Sequence, residues 1–176
     1  VKRGIIATWG VGLVVALLLK SVLRLAPMAL EPWLDGSMTT LQKGLFVGFL
    51  LFNAYGEGYR GFQLRYAPRV VSRAFYLADH PRLLHVVLAL PFCMSLFHAK
   101  RRQMIVSWTF LLGLVGVVAL VRLVPQPWRG IIDGGVVVGL VWGIVAVIVL
   151  WIKGLRGSPP ATFDIPDVTT PVSEPT

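Results

Sequence analysis

The sequence predicts an all-α integral membrane protein: a single transmembrane helical domain, residues 1–156, followed by an extended tail, 157–176. Three observations carry that prediction. Hydrophobic residues make up 56% of the 176-residue chain and charged ones only 14%, with a mean hydropathy of +0.74, outside the range of soluble domains that must cover their surface with charge. Four apolar stretches are each long enough, at about 1.5 Å per residue, to cross or nearly cross a hydrocarbon core of about 30 Å. The basic residues sit beside those stretches, as the positive-inside rule requires. Together these predict four transmembrane helices, a re-entrant or interfacial apolar segment at 83–98 and an amphipathic surface helix at 68–79. The same placement accounts for a net charge of +9 without nucleic acid, because no recognition motif or stacking platform accompanies the charge. Cys93 is the only cysteine, so an internal disulfide is impossible.

The first span, 4–25, follows Lys2 and Arg3. Its rival reading is a cleaved signal peptide. Lys20 and Arg24 stand where a neutral cleavage region belongs, and Pro27, Met28 and Ala29 make a poor cleavage site, so an uncleaved span is preferred. Lys20 and Arg24, four apart on one helix face, are placed to snorkel to the far interface. Residues 26–40, with Pro27, Pro32, Glu31, Asp35 and Gly36, read as a turn-rich acidic loop carrying Trp33 at head-group level. The second span, 41–59, contains Gly44 and Gly48, a small-residue pair that lets another helix approach closely. Gly56, Gly58 and Gly61 would permit an unwound backbone at its end. Pro68 then suits a first helical turn, and Val70, Val71, Ala74, Leu77 and Ala78 recur at helical spacing, which predicts the surface helix over 68–79 with its arginines reaching phosphates.

The following segment decides the topology. Residues 86–97 form an uninterrupted apolar run with Pro91 at its middle and His85 and His98 at its ends. If 83–97 crosses the membrane there are five spans, and the lysines and arginines divide nine against eight. If it turns at Pro91 and returns, there are four spans and the division is twelve against five, which obeys the rule. Four spans are therefore preferred, with a five-span bundle as the alternative. The last two spans are 104–121, with Gly113 and Gly116, and 131–152. The final span bears Gly135, Gly139 and Gly143, a ridge expected to lie against another helix of this chain or of a second copy. The tail at 157–176 holds five prolines, three acids and no basic residue, a composition that cannot build a core.

Between residues 60 and 102 eight basic side chains face one acid, Asp79. Arg60, Arg65, Arg69, Arg73, Arg101 and Arg102 are the candidate ligands for an anion or lipid head group. Asn53 and Glu57, four apart, are the candidates for a polar cavity, since an acid at membrane depth marks a functional site; the structural alternative pairs Glu57 with Arg60 or another arginine. On one continuous helix His85 and His98 would stand about 20 Å apart. Only a hairpin would make them joint metal or haem ligands, a lesser reading beside interfacial histidines, and no cofactor is expected. Asp133 reads as a cap in the first turn of the last span. No nucleophile elbow, phosphate-binding loop, paired carboxylates or dinucleotide fingerprint is present, so no catalytic residue is assigned and an enzyme is disfavoured.

The function expected from these features is that of a small polytopic protein of a bacterial-type inner membrane, with both termini cytoplasmic. It would be a non-enzymatic scaffold or accessory subunit whose basic face binds anionic lipid or an acidic partner segment, as a homo-oligomer or part of a larger complex. The alternative is a small channel or transporter for an anion or a phosphate-bearing lipid, with its polar cavity near Glu57 and Arg60.

Overall fold

The computed structural model describes residues 2–81, 83–158 and 160, and among these it contains helices, turns and loops but no strand. Arg82 and tail residues 161–176 lie outside the described residues. Among the described residues three helices are long and apolar enough to cross a membrane: Arg3–Leu34, Arg101–Val121 and Trp128–Leu155.

Helix α1, Lys2–Leu34, passes straight through the loop expected at 26–40 and carries Pro27 and Pro32 inside it. An internal proline removes a helical hydrogen bond at a cost of about 3 kcal/mol, so something beyond local preference must hold this end. Pro32 is fully buried, and its ring lies so close to Gly130 that a Cβ there would stand 2.6 Å from Cγ. Gln126 Nε2 donates to the Met28 carbonyl at 3.2 Å and to a Glu31 carboxylate oxygen at 3.2 Å. Only Asp35 to Thr39 remains as a connection. Thr39 caps α2, Thr40–Asn53, in a reciprocal box in which the Gln42 amide donates to Thr39 Oγ1 and the Thr39 amide donates to Gln42 Oε1. Thr39→Ala is expected to lower stability by about 1 kcal/mol, read as a fall in the unfolding midpoint in detergent.

The helix does not stop at residue 59. A π-helical segment, Ala54–Tyr66, continues α2 directly into α3, Ala67–Asp79, with the Ala54 amide donating to Leu50 and the Ala67 amide to the Phe62 carbonyl. A regular α-turn would drive the Pro68 ring against the carbonyl four residues earlier, and the wider turn ahead of it removes that clash. The unwound backbone expected at Gly56, Gly58 and Gly61 is thus a widened helix instead. Nor is α3 a surface helix: Val70, Val71, Ala74, Leu77 and even Arg73 are buried. Its apolar stripe faces α1 and the last helix, Trp128–Leu155, in the main core rather than lipid.

Helix α7, Trp128–Leu155, supplies the groove along which this long rod lies. Phe46 packs at Gly134, Phe49 and Asn53 at Gly135, Glu57 at Gly139, Phe62 at Gly143 and Phe75 at Gly154, so the rod and α7 run in the same direction. Helix α1 opposes both, with Gly4 near Leu155 and Pro32 at Gly130. The ridge expected at Gly135, Gly139 and Gly143 therefore finds its partner within the chain. Gly139 and Gly143 are one α-turn apart, whereas Glu57 and Phe62 are five residues apart, a π-turn spacing. The wider helix keeps both side chains on the same groove. Gly44, Gly48, Gly113 and Gly116, by contrast, face open space among the described residues.

After α3 come two short helices, α4 (Leu83–Val87) and α5 (Ala89–Cys93), and then α6, Arg101–Val121. The short pair packs at the end of the bundle where α1 begins: Trp9 Nε1 donates to the Val86 carbonyl at 3.2 Å, and Cys93 Sγ lies beside Gly10. Helix α6 starts from that end, where Trp108 Nε1 donates to the Leu96 carbonyl at 2.9 Å, and finishes near Met28 and Gln126 at the other. None of the described side chains in its apolar window is buried.

Candidate functional site

Residues 83–98 double back on themselves, and a buried arginine holds the fold. Pro91 is not the turning point. It sits inside α5, near its N-terminus, where a missing amide proton costs little. The chain instead reverses over residues 94–100, where Ser95 (φ 59°) and His98 (φ 49°) adopt left-handed backbone. Each such non-glycine residue costs about 1–2 kcal/mol, and the turn leaves carbonyls pointing inward. Arg73 takes them: Nε donates to Phe92 O at 2.6 Å, and Nη2 to Phe97 O and His98 O, each at 3.0 Å. Its guanidinium also lies 4.3 Å from the centroid of the Phe92 ring, a cation–π contact. Arg73 was expected beside Arg65 and Arg69 as a head-group ligand. It is 0% exposed, because its position on α3 turns it into the core rather than along the basic stripe.

The hairpin brings together the two imidazoles that the sequence placed at its ends. The ring centroids of His85 and His98 are 4.9 Å apart, and His85 also stacks on Phe92 at 4.9 Å. Among the described residues no group of three or more His, Cys, Asp or Glu side chains could hold a metal ion. The pair is part of an aromatic cluster with Phe92 and Phe97.

The polar residues of the rod meet α7. Asn53 is buried and donates through Nδ2 to the Phe49 carbonyl at 3.0 Å. The Glu57 carboxylate lies over Gly139, where a Cβ would stand 3.0 Å from Oε2. Among the described residues Glu57 makes no ion pair with Arg60; the ion pairs present join Arg3 to Asp79 at 2.6 Å and Arg129 to Asp133 at 3.4 Å. The second of these also corrects the reading of Asp133. Helix α7 starts at Trp128, so Asp133 lies beyond its first turn and pairs with Arg129 one turn back instead of capping.

Four of the basic side chains converge. A cleft of about 620 Å³ opens between the junction of the π-helix with α3 and the start of α6, lined by Arg65 and Arg69 on one wall and Lys100 and Arg102 on the other. Leu64, Pro68, Val106 and Pro160 give it an apolar margin, and among the described residues no acid lines it. Arg60 and Arg101 are exposed and stand outside it. Lys100 is the member that the candidate set lacked; its adjacency to Arg101 and Arg102 was the available signal, and the turn at the end of the hairpin aims it. A second cleft, of about 710 Å³, is lined by Gly4, Ile5, Thr8, Trp9, Gly12, Leu13 and Leu155 and is almost wholly apolar. Neither cleft includes Asn53, Glu57 or Arg60. Comparison with known proteins gives no match to a family model, to a curated protein or to a solved structure.

Proposed function

We propose that this chain is a polytopic protein of a bacterial-type inner membrane, crossing it four times. In this reading residues 83–98 enter and leave on the cytoplasmic side and both termini are cytoplasmic. The support is directional. The rod ends, the hairpin packs and α6 begins at one end of the bundle, which also carries Arg3, Lys100, Arg101, Arg102, Lys153 and Arg156, while the other end carries Lys43, Arg122 and Arg129. In a Cys93→Ala background, single cysteines at Lys100 and Ser158 should react with an impermeant maleimide only from the cytoplasmic side, and those at Ser37 and Gln126 only from outside. Labelling of Lys100 and Ser158 from opposite faces would end this topology.

Within that layer the chain acts as a non-enzymatic scaffold or accessory subunit whose basic face holds anionic lipid. The single observation behind this is the convergence of Arg65, Arg69, Lys100 and Arg102, with no acid among the described lining residues, on a cleft with an apolar margin. The glycines facing open space, Gly44, Gly48, Gly113 and Gly116, fit packing against a second copy or a larger complex. Changing the four cations together to glutamine should lower the anionic lipid that stays bound through purification, measured as phosphorus per protein. Unchanged lipid with loss of a co-purifying acidic protein would shift the reading to a partner segment. A second reading, a small channel or transporter for an anion, draws on Glu57 and Asn53 lying in or beside a π-helix, a conformation frequent at functional sites. Liposome flux abolished by Glu57→Gln would favour it, and no flux under any gradient would dismiss it.

A further inference from the structure

The basic cleft divides its charge evenly between two walls, which meet at their base where Arg73 of α3 donates to Phe97 O and His98 O just before Lys100. Arg65 and Arg69, one turn apart, belong to the rod; Lys100 and Arg102 belong to the start of α6. Beyond the cleft α6 runs on with none of the described side chains in its apolar window buried, so among the described residues no core covers it there. A single phosphate would answer one wall and leave the other pair of like charges uncompensated. Resting on the reading of a basic face in an anionic lipid layer, we propose that this cleft is a specific site for a lipid with two phosphates. Each phosphate meets one wall, and the acyl chains fill the space between α6 and the rod.

Two features make this occupant fit better than a monophosphate lipid or a free anion. Four cations with no acid among the described lining residues match a doubly charged head group more closely than a singly charged one. Leu64, Pro68 and Val106 at the margin offer apolar surface that a lipid covers and a free anion leaves wet. Ser72 and Gln103 line the same cleft and add neutral polar groups beside the phosphates. The lipid would join α6 to the rest of the bundle.

The test uses the full chain in a neutral detergent, with thermal unfolding followed against added tetraoleoyl cardiolipin, dioleoyl phosphatidylglycerol at matched phosphate, dioleoyl phosphatidylcholine and inorganic pyrophosphate. Cardiolipin is expected to raise the midpoint at concentrations at least about tenfold below those needed for phosphatidylglycerol. Phosphatidylcholine and pyrophosphate should leave the midpoint unmoved. Arg65→Gln with Arg69→Gln, or Lys100→Gln with Arg102→Gln, should each bring the cardiolipin response down to the phosphatidylglycerol level, because either change removes one wall. Equal responses to the two anionic lipids at matched phosphate would overturn the two-phosphate site while leaving the basic-face reading standing. A pyrophosphate response equal to that of cardiolipin would make the occupant a free anion, and no response to either anionic lipid would remove both readings.

Discussion

Arg73→Ala is expected to open the 83–98 hairpin and to expose Cys93. The wild-type thiol is 0% exposed, so a maleimide should label it slowly in the folded protein. Removing the guanidinium strips the donors from the carbonyls of Phe92, Phe97 and His98 in an apolar setting while two left-handed residues still strain the turn. Each buried acceptor left unmet costs about 1–3 kcal/mol, so the hairpin should lose roughly 3 kcal/mol or more of local stability and Cys93 labelling should quicken by about a hundredfold. Arg73→Lys keeps the charge but replaces the planar fork with a flexible point donor, and should fall between the two. Labelling at the wild-type rate in Arg73→Ala would show that packing of Phe92 and Phe97 alone closes the turn.

Gly143→Leu is expected to separate α7 from the rod. A Cβ at this position would stand 2.5 Å from Phe62 Cδ1 and 2.7 Å from Cγ, leaving no room for even the first carbon of a side chain. In lipid the hydrophobic effect does not drive helices together, so the loss falls on the van der Waals contact that holds this pair. Overpacking of this kind costs about 1–3 kcal/mol, and the unfolding midpoint in detergent should drop accordingly. Gly12→Leu is the matched control, since among the described residues nothing lies within 4 Å of a Cβ there. Adding Phe62→Ala to Gly143→Leu should restore part of the loss, because it removes the ring that the leucine strikes. An unchanged midpoint in the single variant would mean that α7 and the rod do not pack through this glycine.

How far each element was legible follows from how local its cause is. The two histidines and the basic cleft show the contrast. That His85 and His98 could meet only in a hairpin was a matter of sequence distance and helix rise, and the structure places them 4.9 Å apart. That Pro91 is not the bend was hidden, because a proline tolerated early in a helix and a proline that breaks one look alike without neighbours. Arg65, Arg69 and Arg73 share a spacing of four, yet the first two line the cleft and the third is buried. Periodicity puts residues on a face; only the packing of the hairpin against α3 says which part of that face is interior.

Hydropathy, charge and glycine spacing add up along the chain without reference to distant residues. By themselves they determined that the protein is helical, that it carries spans long enough for a membrane, that its last helix has a close-packing ridge and that the histidine-ended segment is special. The tertiary structure alone decided that α1 runs through two prolines to Leu34, that α2 continues as a π-helix into a buried α3, and that Arg73 closes the hairpin. Each of these outcomes is disfavoured locally. Pro32 needs Gly130, Phe62 needs Gly143 and Arg73 needs three carbonyls, 19, 24 and 25 residues further along the chain, so none could be read until the fold had supplied the partner.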